Sequence, residues 1–254
     1  MTEARDAILA TRRGRTILAP LGAAAPPDET AGYAVQRSVA EATGAVPPAG
    51  FKIGATAKGM QAYLGLSAPV AGFVAAEGLH APGATLRFAD FLAPGVECEV
   101  GVRLGRDLPA GPCTADEAAE CVAEVFAAIE IVEKRYGDLG MLGVPTLIAD
   151  QVFHAGGVCG APAAGWPGID LGAVAGRITV DGVSKGEGVG ADLLGHPMNA
   201  LAWLAASGCA AAFGGLRAGQ VVFLGSVTPP IWLDGPGLVE VVFTGLGSVT
   251  LRFT

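Results

Sequence analysis

Two glutamates, Glu97 and Glu99, stand two residues apart in the segment GVECEV, between apolar neighbours. In a β-strand, side chains at positions i and i+2 lie on the same face about 7 Å apart, so both carboxylates can converge on one point. Two unpaired carboxylates held that close repel each other, and one takes up a proton unless a cation meets them. Mg²⁺ is a suitable cation because it accepts oxygen ligands at about 2.1 Å.

Glu130 offers a third carboxylate, in the strand-like segment AAIEIVEKRY. Glu133 in the same segment is a competing candidate, but it adjoins Lys134 and Arg135, which are predicted to form a solvated strand end. An alternation of glutamates is also typical of a strand with one face in water. The residue pattern alone therefore leaves two interpretations open, a metal site and a solvent-facing strand.

The composition narrows the class of protein. The chain has 254 residues, of which 51% are hydrophobic and 16% are charged, and it has 39 glycines, which is typical of a folded protein rich in turns and strands. The net charge of −8 and the scattered basic residues argue against a nucleic-acid partner. The five cysteines form no CxxC pair, which indicates reduced thiols in the cytoplasm rather than a zinc cluster.

The longest uncharged stretch, residues 197–216, has a length that fits a bilayer. Proline, asparagine, serine and three glycines interrupt it, which favours a buried helix followed by a glycine-rich turn over a membrane span. At the N-terminus, the acidic start and the helical pattern predict an ordinary first helix rather than a signal segment. No membrane partner is therefore expected.

The order of patterns along the chain predicts an α+β protein with an N-terminal helical region, residues 1–70, and a β-rich domain, residues 71–254. Helical spacing dominates residues 1–47, and short strands alternate with glycine and proline turns from about residue 70. Asp181-Gly182 predicts a hairpin. Two helices interrupt the strands: residues 114–128, which open with a Thr114–Glu117 capping box, and residues 196–208, with Pro197 in the first turn.

Seven segments of the chain resemble, in order and spacing, the 2-keto-4-pentenoate hydratases. These enzymes belong, with the 4-oxalocrotonate decarboxylases, to the fumarylacetoacetate hydrolase superfamily. The segments are GFKIGAT, GVECEVGV, AAIEIVEKRY, IADQ, LGHPMNALAWLA, LRAGQVVFLGS and GLGSVTLRF. The resemblance runs from residue 32 to the end, and it implies a mixed β-roll core with a helical N-terminal region, assembled as a homo-oligomer.

The resemblance also implies a set of site residues. Three carboxylates match the family's ligands for Mg²⁺ or Mn²⁺, namely Glu97, Glu99 and Glu130. Lys52 in GFKIGAT matches the active-site lysine, and Asp150 in IADQ matches an active-site acid. Ser226 falls in a loop expected near the carboxylate of a small 2-oxo or 2-hydroxy acid substrate.

The reaction that the resemblance implies is the hydration of a 2-hydroxy-2,4-dienoate, of the 2-oxo-4-pentenoate type, to a 4-hydroxy-2-oxo acid in aromatic catabolism. In that reaction the ion acts as a Lewis acid on the chelated substrate, and Lys52 shuttles a proton. Three alternatives stay open: a decarboxylase of a 2-oxo-enedioate, an acylpyruvate-type C–C hydrolase, and a non-catalytic partner subunit of an active homologue.

Several positions depart from the hydratase pattern. Gly95 stands where an arginine commonly precedes the two glutamates, and the segment DQVFH replaces a run of small residues after Asp150. His154 in this segment has two interpretations, an added general base, which favours the hydrolase, and a hydrogen-bonded bystander. We include it among the catalytic candidates. His196 is predicted to cap the helix that follows it.

Overall fold

Two β-sheets packed against each other form the centre of the computed structural model, which describes residues Met1–Thr254. The helices are α1 Thr2–Gly14, α2 Glu29–Ala42, α3 Lys58–Leu64, α4 Ala115–Ala119, α5 Leu139–Leu142, α6 Val144–Ala149, α7 Pro197–Ala206 and α8 Gly208–Phe213. The strands are β1 Gly50–Gly54, β2 Val70–Val74, β3 Leu79–His80, β4 Ala84–Leu86, β5 Pro94–Leu104, β6 Val122–Glu133, β7 His154–Cys159, β8 Ala175–Val180, β9 Val183–Val189, β10 Val221–Ser226, β11 Ile231–Trp232, β12 Gly237–Phe243 and β13 Gly247–Phe253.

Both sheets are mixed. The larger sheet has eight strands in the order β2-β1-β10-β5-β6-β7-β3, with β11 paired to β5, and the smaller has the order β4-β13-β12-β8-β9. Strand β1 runs parallel to β10, β3 to β7 and β13 to β4, while the other neighbours are antiparallel. The protein is therefore of the α+β class, as the sequence predicts.

Strand β5, in the middle of the larger sheet, is buried on both faces. Val96, Cys98, Val100 and Val102 lie on one face and are fully buried in the main core, together with side chains of β12 and β13. The two glutamates of β5 lie on the opposite face. The predicted alternation of the strand is confirmed, but the glutamate face is not a wet one.

The helical pattern predicted for residues 1–47 is confirmed by α1 and α2. Helix α2 is capped by Asp28, whose side chain accepts a hydrogen bond from the N–H of Ala31 at 2.8 Å, and the helix packs on α6 and α8. The division of the chain after residue 70 stays a prediction. Strand β1, on the N-terminal side of that division, pairs with β10 of the larger sheet.

The prediction of one helix over residues 114–128 is wrong. The Thr114–Glu117 capping box is present, but α4 ends at Ala119, and strand β6 begins three residues later at Val122. The segment that follows the cap is rich in β-branched and aromatic side chains, and it pairs with β5 along its whole length. Pairing with a central strand outweighs the helical signal of a single capping box.

Three smaller predictions are confirmed. Asp181 and Gly182 join β8 to β9 with φ angles of 50° and 77°, as a tight hairpin requires. His196 caps α7 through its Nδ1, which accepts the N–H of Met198 at 3.2 Å. The uncharged stretch 197–216 forms the two short helices α7 and α8, and no helix of the chain has the length and hydropathy to cross a bilayer.

Gly157 in β7 tests how tightly the glutamate face is packed. A Cβ at this position would lie 2.3 Å from Cζ of the fully buried Phe223. We expect Gly157→Ala to lower the free energy of unfolding by about 1–3 kcal/mol, because neither the ring nor the strand can move away freely. Urea denaturation measures this change. Gly168→Ala is the control, since no atom lies within 4 Å of a Cβ there; equal losses in the two variants would contradict the packing argument.

Candidate functional site

Three carboxylates meet on the face of the larger sheet that points away from the main core. Glu97 on β5 lies directly opposite Glu130 on β6 in the antiparallel register, and Glu99 is the next residue along the same face. One oxygen from each carboxylate lies within 4.8 Å of the other two. Glu99 and Glu130 are fully buried, and Glu97 is half-buried. The sheet therefore brings together the three glutamates selected from the sequence.

This glutamate cluster is electrostatically incomplete. Glu99 accepts a hydrogen bond through Oε2 from the N–H of Gly225 at 2.9 Å, but its Oε1 has no partner, and neither does Oε2 of Glu130. Burial and repulsion from Glu130 raise the pKa of Glu97 to about 8, although Lys52 offsets part of the rise. Burial and the two neighbouring carboxylates raise the pKa of Glu99 well above its ordinary value.

The donor set fits a hard divalent cation. Buried oxygens without partners are rare in folded proteins, and two of them belong to this cluster. Mg²⁺ and Mn²⁺ prefer oxygen ligands, and three carboxylates can hold such an ion while leaving positions for a substrate. The residues present therefore satisfy the chemical requirement for a divalent ion.

Lys52 enters the cluster from strand β1. Its side chain is 2% exposed, and its Nζ lies 3.5 Å from Oε1 of Glu130 and donates a hydrogen bond to the carbonyl of Val152 at 2.5 Å. The ammonium has room because Gly54 has no side chain: a Cβ there would lie 3.3 Å from Nζ. The expectation that the head of Lys52 is buried agrees with this geometry.

His154, the first residue of β7, contacts the same carboxylate. Its Nδ1 lies 2.8 Å from Oε1 of Glu130, and burial lowers its pKa, so the neutral ring donates to the carboxylate at pH 7. Burial opposes the ionisation of Glu130, but Lys52 and the His154 hydrogen bond outweigh it and lower the pKa of Glu130. Glu130 is therefore an anion whose Oε1 is occupied and whose Oε2 is free.

Asp150 does not join the glutamates. It is buried between Nε of Arg12 at 2.6 Å, Nε of Arg135 at 3.0 Å and the hydroxyl of Tyr136 at 2.7 Å. Burial alone would raise its pKa, but the two guanidinium groups outweigh burial and hold the pKa below its ordinary value. Asp150 is therefore a permanent anion at neutral pH and has no proton to donate there.

The prediction that Lys134 and Arg135 form a solvated strand end is correct only for Lys134. Arg135 is 5% exposed, and it also donates to the carbonyls of Phe153 at 3.3 Å and His154 at 3.0 Å. Its burial is possible because these carbonyls and the carboxylate of Asp150 satisfy its donors. Neither Arg135 nor Arg12 was selected from the sequence. The sequence around Arg12 does not indicate that this residue forms an ion pair, because its partner, Asp150, lies 138 residues away in the chain.

Two cavities reach the glutamate cluster through Glu97. The first, which we call the Lys52 cavity, has a volume of about 370 Å³ and is walled mainly by apolar side chains, including Met60, Phe153 and Trp232. The second, the Ser226 cavity, has a volume of about 540 Å³. His154 lines neither of them; it faces a third cavity of about 380 Å³. Glu97 therefore lines both the cavity of Lys52 and the cavity of Ser226, whereas His154 lines neither and contacts the cluster through Glu130.

Trp232 accounts for one departure from the hydratase pattern. It pairs with Gly95 across β11 and β5, and a Cβ at position 95 would lie 2.8 Å from the indole ring. Lys134 lies over the same ring, with Nζ 5.2 Å from the ring centroid. The indole therefore covers the position where the family commonly has an arginine.

Comparison with known proteins agrees with the fold. The profile of the family described as Fumarylacetoacetate (FAA) hydrolase C-terminal matches residues 40–254. The 2-keto-4-pentenoate hydratase of Burkholderia vietnamiensis is 35% identical over 95% of this chain and 92% of its own length. The 2-hydroxyhexa-2,4-dienoate hydratase of Comamonas testosteroni is 30% identical over 81% of this chain and 78% of its own.

A solved structure shares the fold over almost the full length. The 4-oxalocrotonate decarboxylase of Pseudomonas putida G7, complexed with magnesium and adipate, superposes with a TM-score of 0.89. The two chains are 23% identical, and the match covers 99% of this chain and 96% of that one.

The Asp150 network generates a pH-dependent prediction. Asp150→Asn leaves Arg135 buried without its anion, so we expect a loss of about 3–5 kcal/mol in the free energy of unfolding at pH 7. Because the folded-state pKa is depressed, the stabilisation by Asp150 is present above about pH 4 and is lost as the pH falls through the lower folded value. The difference between wild type and variant should therefore shrink on acidification.

Urea denaturation at pH 7 and near pH 3 measures both effects. Asp234→Asn is the matched control, because Asp234 is exposed and makes no hydrogen bond or ion pair with another side chain. A difference between Asp150→Asn and wild type that stayed constant over this pH range would show that Asp150 is not held as an anion.

Proposed function

Because the chain belongs to the fumarylacetoacetate hydrolase family, we propose that it is a metal-dependent lyase that hydrates a 2-hydroxy-2,4-dienoate to a 4-hydroxy-2-oxo acid in aromatic catabolism. The hydratase activity is that of its relatives in Burkholderia and Comamonas, which resemble it over most of both chains. The observation that carries the proposal is the buried glutamate cluster with its two unpartnered oxygens, beside the ammonium of Lys52.

Glu97, Glu99 and Glu130 would hold Mg²⁺ or Mn²⁺. A divalent ion bound there supplies positive charge that stabilises the enolate form of a 2-oxo acid. The magnesium in the structure of the P. putida decarboxylase supports the same class of ion in this fold. His154 keeps Oε1 of Glu130 occupied by a hydrogen bond, so the free Oε2 is the oxygen of this residue available to an ion.

Lys52 is the group best situated for proton transfer. It lines the same cavity as Glu97, so a dienoate whose carboxylate end reaches the cluster extends its conjugated chain past the ammonium. Protonation of the terminal carbon, with loss of the proton from the 2-hydroxyl, gives a conjugated enone. Addition of water then places its oxygen at C4 and its hydrogen at C3, which completes the hydration. Lys52 can deliver the proton to the terminal carbon and recover the proton lost from the 2-hydroxyl.

Ser226 supports the substrate from the other cavity. Its Oγ accepts the N–H groups of Cys98 at 3.2 Å and Thr228 at 3.2 Å, and this holds the hydroxyl near Glu97. The hydroxyl of Ser226 donates to the carbonyl of Cys98 at 3.3 Å; turned toward the cavity, it can donate to a substrate carboxylate instead. Asp150 is not assigned a proton-transfer step, because it is held ionised outside both cavities.

The wall of the Lys52 cavity favours a substrate with an uncharged tail. Met60, Tyr63, Leu64, Leu139 and Phe153 are among the apolar residues of this wall, and an apolar surface does not compensate a second carboxylate for lost water. The alternative, decarboxylation of a 2-oxo-enedioate, has one feature in its favour. Lys134 also lines the cavity and carries the charge that a second carboxylate would need.

Two further features of the proposal concern the setting of the enzyme. All five cysteines are free thiols, which suits the reducing cytoplasm. Large apolar side chains that remain exposed, among them Tyr63 and Met141, offer surface for contacts between copies of the chain, which supports a homo-oligomer.

An acylpyruvate hydrolase is less well supported, because His154 faces a cavity other than the one that Lys52 and Glu97 share.

Substrate choice is tested by incubating the purified protein and Mg²⁺ with 2-hydroxypentadienoate and, separately, with 2-oxohex-3-enedioate. We expect loss of the dienol absorbance without release of CO₂, and little turnover of the diacid. Release of CO₂ from the diacid would instead support the decarboxylase. Turnover of an acylpyruvate, with neither of these substrates consumed, would overturn the lyase assignment.

The metal site is tested by Glu99→Gln. The amide removes one of three anionic ligands, so we expect affinity for Mn²⁺ to fall on the order of 100-fold or more, and activity to fall with it. Without metal the variant should remain folded, because the pKa of Glu99 is raised and its protonated form already resembles the amide. Thermal unfolding measures both points: Mn²⁺ at 100 times its Kd should stabilise wild type by about 2.7 kcal/mol.

Glu187→Gln is the control for this experiment. Glu187 is exposed on β9 and makes no ion pair, so its variant should retain the stabilisation by Mn²⁺. Full activity and full Mn²⁺ stabilisation in Glu99→Gln would show that the ligand set is wrong.

A further inference from the structure

Three consecutive residues after helix α6 have left-handed backbone conformations. Gln151, Val152 and Phe153 have φ angles of 61°, 51° and 68°, although none of them is a glycine. Each L-residue in this region costs about 1–2 kcal/mol, so a run of three persists only where the surroundings hold it. We call residues 151–153 the left-handed turn.

The start of the turn is a helix-terminating motif. The N–H of Gln151 donates to the carbonyl of Ile148 and the N–H of Val152 donates to the carbonyl of Leu147, both at 3.0 Å. This is the Schellman pattern, in which the left-handed position is normally a glycine. The motif accounts for the first left-handed residue, but it does not account for the next two.

Arg135 holds the remainder of the turn. Its guanidinium donates to the carbonyls of Asp150 at 3.1 Å, Phe153 at 3.3 Å and His154 at 3.0 Å, so it bridges the two ends of the turn. The same guanidinium donates through Nε to the carboxylate of Asp150 at 3.0 Å. Asp150 therefore fixes the orientation of the side chain that clamps the turn.

Arg12 completes this network from the N-terminal helix α1. Its Nε donates to Oδ1 of Asp150 at 2.6 Å, while Arg135 and Tyr136 share the other oxygen. Charge-assisted hydrogen bonds to a buried carboxylate are among the stronger ones in proteins. Residue 12 also lies outside residues 40–254, the part of the chain that the family profile matches.

The turn delivers a hydrogen-bond acceptor to Lys52. The carbonyl of Val152, its central residue, accepts the Nζ hydrogen bond of Lys52, and the turn leads directly into His154. The ammonium is thereby fixed between this carbonyl and Glu130, 3.5 Å away. Relaxation of the turn toward ordinary backbone angles would move the carbonyl and release the ammonium.

We propose that Arg12 is a positioning residue: through Asp150 and Arg135 it holds the left-handed turn, and the turn fixes the Lys52 ammonium beside Glu130. The expected effect of Arg12 on turnover rests on the proposed hydratase function. The connection from Arg12 through the turn to Lys52 does not. Helix α1 thus contributes to the geometry of the site through Arg12, although none of its residues belongs to the glutamate cluster.

The test compares Arg12→Ala and Arg12→Lys with Arg13→Ala. Arg13 is the neighbouring arginine of the same helix, exposed and without an ion pair, so it is a matched control. Hydrogen–deuterium exchange of a peptide spanning residues 147–156 should accelerate about five- to thirtyfold in Arg12→Ala and remain at the wild-type rate in Arg13→Ala. Arg12→Lys keeps the charge, so its exchange rate should lie between those of Arg12→Ala and Arg13→Ala. It serves as the test variant if Arg12→Ala does not fold.

Kinetics and labelling report on Lys52 itself. In Arg12→Ala we expect kcat for the dienoate to fall about ten- to a hundredfold, since small misplacements of a reacting group have effects of this size, with little change in KM. Reductive methylation of Lys52, followed by peptide mass spectrometry, should proceed faster in Arg12→Ala than in Arg13→Ala, because its hydrogen bond to Val152 is lost.

Two results would overturn the proposal. The first is exchange at residues 147–156 that is the same in Arg12→Ala as in Arg13→Ala, which would mean that Arg12 does not hold the turn. The second is faster exchange with unchanged labelling of Lys52 and unchanged kcat, which would mean that the turn does not position the lysine. If the wild-type protein turns over no dienoate, the proposed function fails, but exchange and labelling still decide the role of Arg12.

Discussion

Mutual repulsion among three closely spaced carboxylates, two of them fully buried, is the constraint on which this structure depends. Antiparallel pairing of β5 and β6 sets Glu97 and Glu130 opposite each other, and the strand alternation adds Glu99. The protein itself compensates only part of this charge, with one ammonium, one imidazole and one backbone N–H. Two carboxylate oxygens are left without a partner, so the repulsion that destabilises the site would be relieved by a bound divalent ion, as the proposed function requires.

The polar groups around the cluster form two separate networks, one in contact with Glu130 and one centred on Asp150. Lys52 and His154 both contact Oε1 of Glu130 and keep it ionised. The Asp150 network, farther out, keeps its own charges paired and controls backbone shape rather than proton transfer. In the proposed function the inner groups bind an ion and exchange protons, and a separate outer network can stay fixed while they do so.

The sequence predicted the parts of the site that follow from local periodicity. Glu97 and Glu99 were found because strand alternation has a period of two, and Glu130 because it lies between apolar residues in a strand-like segment. Resemblance to a family then supported Glu130 over Glu133 and added Lys52. The helix predicted over residues 114–128 failed because pairing with β5 outweighs a local capping signal. Arg12 and Arg135 were missed for a related reason: their partners are distant in the chain, and an arginine in isolation is typical of a solvated surface.

Strand β5, which is buried on both faces, has a consequence for how such enzymes diversify. The carboxylates are attached to the most tightly packed part of the molecule, whereas much of the wall of the Lys52 cavity comes from α3, from the segment around α5 and from residues 229–232. Changes in those peripheral segments can alter which tail is accepted without disturbing the core. New substrates could therefore be accommodated by changes in these segments, while the carboxylates and the strands that carry them stay the same.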